Sequence, residues 1–280
     1  MNFQFFYGLA FNPFEKGIDV KHIFESHDFK QFSSRMEYFK STKGFACIFG
    51  EPGSGKTTSL RAFTAKLNPQ LFKLVYLPLS TVTVQDFYRH LAVGLGLEPR
   101  FRKVDLFHQI QEQIAKSFLQ KSLTTLVIID EAQFIRHEIL NDLRLLFNFQ
   151  MDSQNYAMLL LLGQPVLLNQ LFLQIHAAFR QRIVIHFSFK GLAKDELQLY
   201  LTALLKAAGV AEPIFTPDAV EAIFAFSGGL PRKINSLAEK ALLVGYQKQV
   251  RAIDADIIQI VQDDSELTQG GASSNEYSYQ

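Results

Sequence analysis

The sequence predicts an α/β protein, with a parallel central sheet flanked by helices and a small all-helical domain after it. Three observations carry this. Short continuous apolar runs, "FACIFG" at 45–50, "LTTLVIID" at 123–130 and "YAMLLLLG" at 156–163, alternate with segments of helical spacing; such runs suit strands covered on both faces. After Phe189 the pattern changes and the periodic segments are all helical. Between the first apolar run and the helical segment that follows it stands "GEPGSGKT", Gly50 to Thr57, with more glycine than a tight turn needs.

In chain order, residues 1–30 are aromatic-rich and irregular, and "FSSRMEYFKST" near 32–42 reads as a helix. The first strand, 45–50, leads through the glycine turn to a helix at 56–67, and "FKLVYLPL" at 72–79 is the second strand. The helices "VQDFYRHLAVGLGL" and "DLFHQIQEQIAKSFLQ" are joined by the loop "EPRFRK". The third strand is followed by the helix "HEILNDLRLLFNFQ", then the fourth strand, and the alternating "QRIVIHFSF" at 181–189 gives a fifth. Three helical segments follow. Thr216 before Pro217 reads as an N-cap with proline in the first turn, and Gly209 and Gly228 suit helix ends. The expected divisions are an N-terminal segment 1–44 packing on the core, an α/β core 45–190, a helical domain 191–262 and a flexible polar tail 263–280.

Charge is balanced, with 28 basic and 27 acidic side chains, so nucleic-acid contact would have to come from local patches. The single cysteine, Cys47, excludes an internal disulfide framework and a zinc site of its own, and its apolar surroundings predict a buried thiol. "MNFQFFYGLAFNPF" lacks a basic start and a long apolar stretch, so no signal peptide is expected. "AMLLLLGQPVLLNQLFL" is broken by Gly163, Gln164 and Pro165, short of the roughly 18 apolar residues of a membrane span. A cytoplasmic location is the simplest expectation.

"GEPGSGKT" is G-x-x-x-x-G-K-T, placed between a buried strand and a helix as a phosphate-binding loop requires. Glycines let successive backbone N–H groups surround phosphate oxygens, and the helix N-terminus adds partial positive charge. Gly50, Glu51, Pro52, Gly53, Ser54, Gly55, Lys56, Thr57 and Thr58 are the expected nucleotide-binding set. In it, Lys56 reaches the β- and γ-phosphates and Thr57 ligates Mg²⁺. Asp130 and Glu131 close the third strand. Asp130 is expected to hold Mg²⁺ through its water shell, and Glu131 to orient and deprotonate the attacking water. ATP and Mg²⁺ are the expected cofactors.

Together these motifs resemble an AAA+ ATPase, a P-loop fold with a helical lid domain. The resemblance spans about residues 5–262 and points to one branch, the ExeA-type secretion ATPases and the TniB/TnsC-type ATPases of transposons. "FYGLAFNPF", "GFACIFGEPGSGKTT", "LVIIDEAQ", "LLLLGQPVL", "FRQRIVIHFSFKGL" and "SGGLPRKINSLAEKAL" carry it. It implies that Gln164 is the polar sensor of the γ-phosphate, and that Arg180 or Arg182, with Arg180 preferred, is a finger to a neighbouring subunit's ATP. It also implies that Arg232 is the second sensor, and that Asn12, Pro13 and Phe14 line the adenine pocket. ATP would then bind between copies of the chain, in a ring or helical filament of about six or seven subunits per turn.

Three functions remain open: a transposition helper that assembles on target duplex DNA and engages a transposase, alone or with a target-selection protein, a secretion ATPase, and a replication or repair loader. Secretion relatives carry a membrane helix and a peptidoglycan-binding region after the ATPase, whereas this sequence ends about 18 residues past the helical domain, so the first is expected. "EPRFRK" puts Arg100, Arg102 and Lys103 in one loop, which reads either as a DNA-backbone contact or as an ordinary solvated loop. In the transposition relatives this loop and the one after the second strand, here "STVTV" with Thr81 and Thr83, face the DNA channel.

Overall fold

A computed structural model describes residues 2–78, 82–151 and 153–273, with side chains as far as Asp264. In chain order the elements are α1 (Phe3–Tyr7), α2 (His27–Thr42), β1 (Gly44–Gly50), α3 (Lys56–Ala65), β2 (Phe72–Leu77), α4 (Val84–Gly94), α5 (Lys103–Lys121), β3 (Thr124–Ile129), α6 (His137–Leu146), β4 (Ala157–Gly163), α7 (Val166–Phe172), α8 (Ala177–Arg180) and β5 (Ile183–Phe189). Helices α9 (Lys194–Ala207), α10 (Pro217–Ser227), α11 (Pro231–Gln247) and α12 (Ala255–Ser273) follow. Packing divides the chain into two units. One holds residues 31–52 and 56–189; the other holds residues 2–30, 53–55 and the chain from Lys190 onward.

The first unit is built on a five-stranded parallel sheet of order β2-β3-β4-β1-β5. Its central strands read as continuous apolar runs because both faces are covered. Phe45, Cys47 and Phe49 of β1, Val127 and Ile129 of β3, and Leu159 and Leu161 of β4 join a core with α4, α5 and α6. The alternate residues Ala46, Ile48, Leu126, Ile128, Met158, Leu160 and Leu162 join a second core with Phe32, Met36 and Phe39 of α2 and Leu60 and Phe63 of α3. Cys47 is fully buried, and burial pushes its thiol pKa up. Register places the strand ends together: Phe49 pairs with Gly163, and Ile129 pairs with both Leu161 and Leu77. The residues just after β1, β3 and β4 therefore emerge on one edge of the sheet. The strand order reverses beside β1, and such a switch point is where open parallel sheets bind ligands.

The second unit is helical. Leu197, Leu201, Leu204 and Leu205 form the inner stripe of α9, packed with Ile223, Ile234, Ala238, Ala241, Leu242 and Ile258. Thr216 caps α10 by accepting the Ala219 N–H, Pro217 starts the helix, and Gly228 ends it at φ 59°. The N-terminal segment, expected at 1–44 against the sheet domain, divides inside α2: the residues up to Lys30 belong to the helical unit. Tyr7, Leu9 and Phe14 are buried in the helical unit's core, which accounts for part of the aromatic excess. The Tyr7 hydroxyl donates to the Val250 carbonyl at 2.9 Å, and burial pushes its pKa to about 12. Helix α12 continues to Ser273, beyond residue 262 where the sequence reading ended the helical domain; its polar, two-glycine "TQGGAS" end has weak helix propensity. Among the described residues no helix is long and apolar enough to cross a membrane.

Candidate nucleotide-binding site

The glycine loop leaves β1 at Gly50 and enters α3 at Lys56. Gly53 and Gly55 adopt φ of 84° and 101°, a left-handed backbone that side chains resist. Lys56 is 9% exposed, and its Nζ donates to the carbonyls of Gly50 at 2.5 Å and Glu51 at 2.9 Å. Ser54 is buried, and its Oγ has no hydrogen-bond partner among the described residues. An orphaned buried hydroxyl in a glycine turn, at the N-terminus of a helix and beside a buried lysine, fits a phosphate group.

Asp130 follows β3 and is buried. Its Oδ1 accepts the Glu131 N–H at 2.9 Å, and its Oδ2 accepts the Tyr76 hydroxyl at 2.7 Å. Burial, and next the bond to Asp130, push the Tyr76 pKa up. A carboxylate has further lone pairs for a metal or its water, and Asp130 and Thr57 each carry the hard-oxygen donor that Mg²⁺ prefers. Glu131 is exposed and adopts φ 50°. Its Oε2 accepts from Gln133 Nε2 at 2.6 Å, and Gln133 Oε1 accepts the Gln164 N–H at 3.1 Å. The register puts the residues that follow β1, β3 and β4 at one edge of the sheet, with the glycine loop after β1, Asp130 and Glu131 after β3, and Gln164 after β4. Sequence reasoning missed Tyr76 and Gln133. Gln133 stood in the quoted "LVIIDEAQ"; Tyr76 became visible only through its register opposite Ile128 of β3.

The other expected residues fall as follows. Arg180 Nη1 donates to the carbonyls of Leu171 at 2.6 Å and Leu173 at 2.8 Å, at the end of α7. Arg182 Nη1 donates to the Arg144 carbonyl in α6 at 2.6 Å, and burial, then the Arg144 charge, lower its pKa. Both candidate fingers therefore contact carbonyls of their own chain. In the helical unit, the Arg232 N–H donates to the Gly53 carbonyl at 3.2 Å. Asn12 Nδ2 donates to Glu239 at 2.6 Å, its Oδ1 accepts the Phe14 N–H, and Phe14 is buried.

Of the expected DNA contacts, Thr81 lies outside the described residues. Thr83 is the N-cap of α4, and its hydroxyl donates to Asp86 at 2.6 Å. Arg100 and Arg102 are exposed, with Phe101 between them 80% exposed. Lys103 opens α5 and pairs with Asp142 at 2.5 Å.

This fold, with this loop at the end of an inner strand of the sheet, is a P-loop fold. Residues 38–172 match the family model described as an AAA domain. Over those residues the chain is similar to AAA domains, the resemblance its motifs carry. It is 28% identical over 247 residues to general secretion pathway protein A of Aeromonas hydrophila, covering 87% of this chain and 45% of that protein. It is 32% identical over 124 residues to the ATP-dependent target DNA activator B of Escherichia phage Mu, covering 44% of this chain and 37% of that one. The chain thus spans less than half the length of either relative. Among solved structures, the Aeropyrum pernix ORC2 protein matches with a TM-score of 0.66 at 15% identity, over 96% of this chain and 72% of that one; this likeness is one of fold. The relatives thus include a secretion-pathway protein and a phage target-DNA activator.

Proposed function

We propose that this chain is an ATP-hydrolysing switch that assembles on duplex DNA and regulates transposition. The observation that carries the ATPase reading is the placement of Asp130, Glu131 and Gln164 at the sheet edge where β1 leads into the glycine loop and the buried Lys56. In this mechanism Lys56 exchanges the carbonyls of Gly50 and Glu51 for phosphate oxygens, and Ser54 gains the partner it lacks. Thr57 and Asp130 would hold Mg²⁺, which would offset the phosphate charge. Glu131 accepts a proton from the attacking water, Gln164 contacts the terminal phosphate, and Arg180 of a neighbouring copy completes the site. ATP then stabilises assembly, and its hydrolysis permits release.

The match to the phage Mu activator, a protein named for ATP-dependent activation of target DNA, supports a DNA partner and a transposase. A cytoplasmic location belongs to the same reading. A second reading, a secretion-assembly ATPase, is favoured by the longer alignment to the Aeromonas protein. Phosphate release and nucleotide affinity test the common part. Lys56→Ala should lose binding, and Glu131→Gln should bind nucleotide and fail to hydrolyse it; normal hydrolysis by Glu131→Gln removes Glu131 from its role. ATP-dependent retention on duplex DNA separates the two readings, because a secretion ATPase has no need of it.

A further inference from the structure

Gln133 touches two residues that the proposed mechanism treats separately. It lies in the short 3-10 turn Ala132–Phe134 that follows Glu131. Its amide is engaged at both ends: Nε2 donates to Glu131 Oε2 at 2.6 Å, and Oε1 accepts the backbone N–H of Gln164 at 3.1 Å. One orientation of the amide satisfies both partners, since a carboxylate only accepts and an N–H only donates. Gly163 keeps the way clear, because a Cβ there would stand 2.9 Å from Gln133 Oε1. Glu131 has a left-handed backbone and an exposed side chain, so a partner anchored on the sheet restricts the positions its carboxylate samples.

We infer that Gln133 is a positioning residue for hydrolysis, fixing the Glu131 carboxylate relative to the end of β4 and so tying the base to the segment that carries the γ-phosphate sensor. This rests on the ATPase reading above. A shift of Gln164 toward a terminal phosphate moves the N–H that Gln133 accepts, and the amide carries that shift to Glu131. Misplacing a reacting group by about 1 Å can lower a rate by roughly 100-fold, so a tie of this kind is worth more to turnover than to affinity.

The test measures kcat, KM and fluorescent-nucleotide affinity for the wild type, Gln133→Ala and Gln133→Glu. The second variant keeps the volume of Gln133 and replaces its donor with an acceptor. The expected result is a kcat lower by about 10- to 100-fold in both, with affinity and KM within about twofold, the split that marks an interaction needed in the transition state. A kcat near wild type in Gln133→Glu, or affinity falling in step with kcat, overturns the inference. Independently of turnover, the ¹⁵N-labelled side-chain amide of Gln133 should shift in nucleotide-free Glu131→Ala; an unmoved resonance also overturns it. If the wild type shows no Lys56-dependent hydrolysis, the ATPase reading fails, while the amide resonance still reports whether the tie exists.

Discussion

Gly163→Ala separates the packing at the end of β4 from its chemistry. The added Cβ would stand 2.9 Å from both Gln133 Oε1 and Leu167 Cδ2, and 3.3 Å from the Gln133 backbone nitrogen. Overpacking of this kind costs about 1–3 kcal/mol. Displacing Gln133 also removes its bond to the Gln164 N–H, worth about 1 kcal/mol. Against these, alanine restricts the unfolded chain by about 0.4–1 kcal/mol. The net expectation is a loss of about 2 kcal/mol, or about 4–8 °C in Tm for a unit of this size. Thermal unfolding followed by circular dichroism measures it. In a Gln133→Ala background the Oε1 collision is absent and the Leu167 methyl can move aside. The cost of Gly163→Ala should then fall below about 1 kcal/mol, a coupling of about 1–2 kcal/mol between neighbours in contact. Equal costs in the two backgrounds would show that Gly163 does not make room for Gln133, and the argument from close approach would fail.

Other expectations follow from the same geometry. Chains carrying Arg180→Ala and chains carrying Glu131→Gln should each be inactive, and mixing them should restore some phosphate release, since one interface can combine both intact groups; no recovery despite co-assembly shifts the finger to Arg182. Replacing Arg100 and Arg102 with alanine should weaken ATP-dependent binding to two unrelated duplexes alike and flatten the salt slope by about 2. Lys103→Ala should alter the slope far less, because Lys103 is paired with Asp142; unchanged affinity and slope in the Arg pair variant would make the loop a solvated surface. His176 is fully buried against His137, and burial, then the charges of His137 and Arg180, lower its pKa. The folded state resists protonation there, so its contribution to stability is complete above pH of about 6.5 and declines as pH falls. The Tm of His176→Phe should therefore vary less than wild type between about pH 7 and 5, and equal slopes would refute this.

The parallel sheet was legible because β1, β3 and β4 are buried on both faces, which leaves an unbroken apolar run in the sequence. The loop and the acidic pair were legible because phosphate and metal chemistry restrict the residue types at fixed spacing. Helix α1 was missed because five residues are too few to show a period. Tyr76 was missed because its partner lies 54 residues away on a neighbouring strand. Lys103 was read as part of a loop because "EPRFRK" has no cap residue before it; in the structure Arg102 stands at the N-cap position with no side-chain capping bond. Sequence pattern therefore reports burial and local chemistry, while long-range side-chain pairing required the register of the sheet.

One physical theme joins the cations of the sheet unit. Lys56 donates to two carbonyls of its own loop, Arg180 to two at the end of α7, and Arg182 to one in α6. Each such bond involves a charged donor and is worth about 1.5–3 kcal/mol. A phosphate must therefore displace existing partners, and it can do so because its full negative charge attracts a cation more strongly than a carbonyl dipole does. For Lys56 the exchange occurs within one chain, since its carbonyls belong to the loop that binds the phosphate. In the proposed assembly, the exchange at Arg180 requires a second chain, and the released carbonyls of Leu171 and Leu173 must find water or other donors. The second exchange has the larger opposing cost, so nucleotide binding by a single chain should precede completion of the site by a neighbour. An ATPase rate that rises with protein concentration while nucleotide affinity stays constant is the behaviour this order requires.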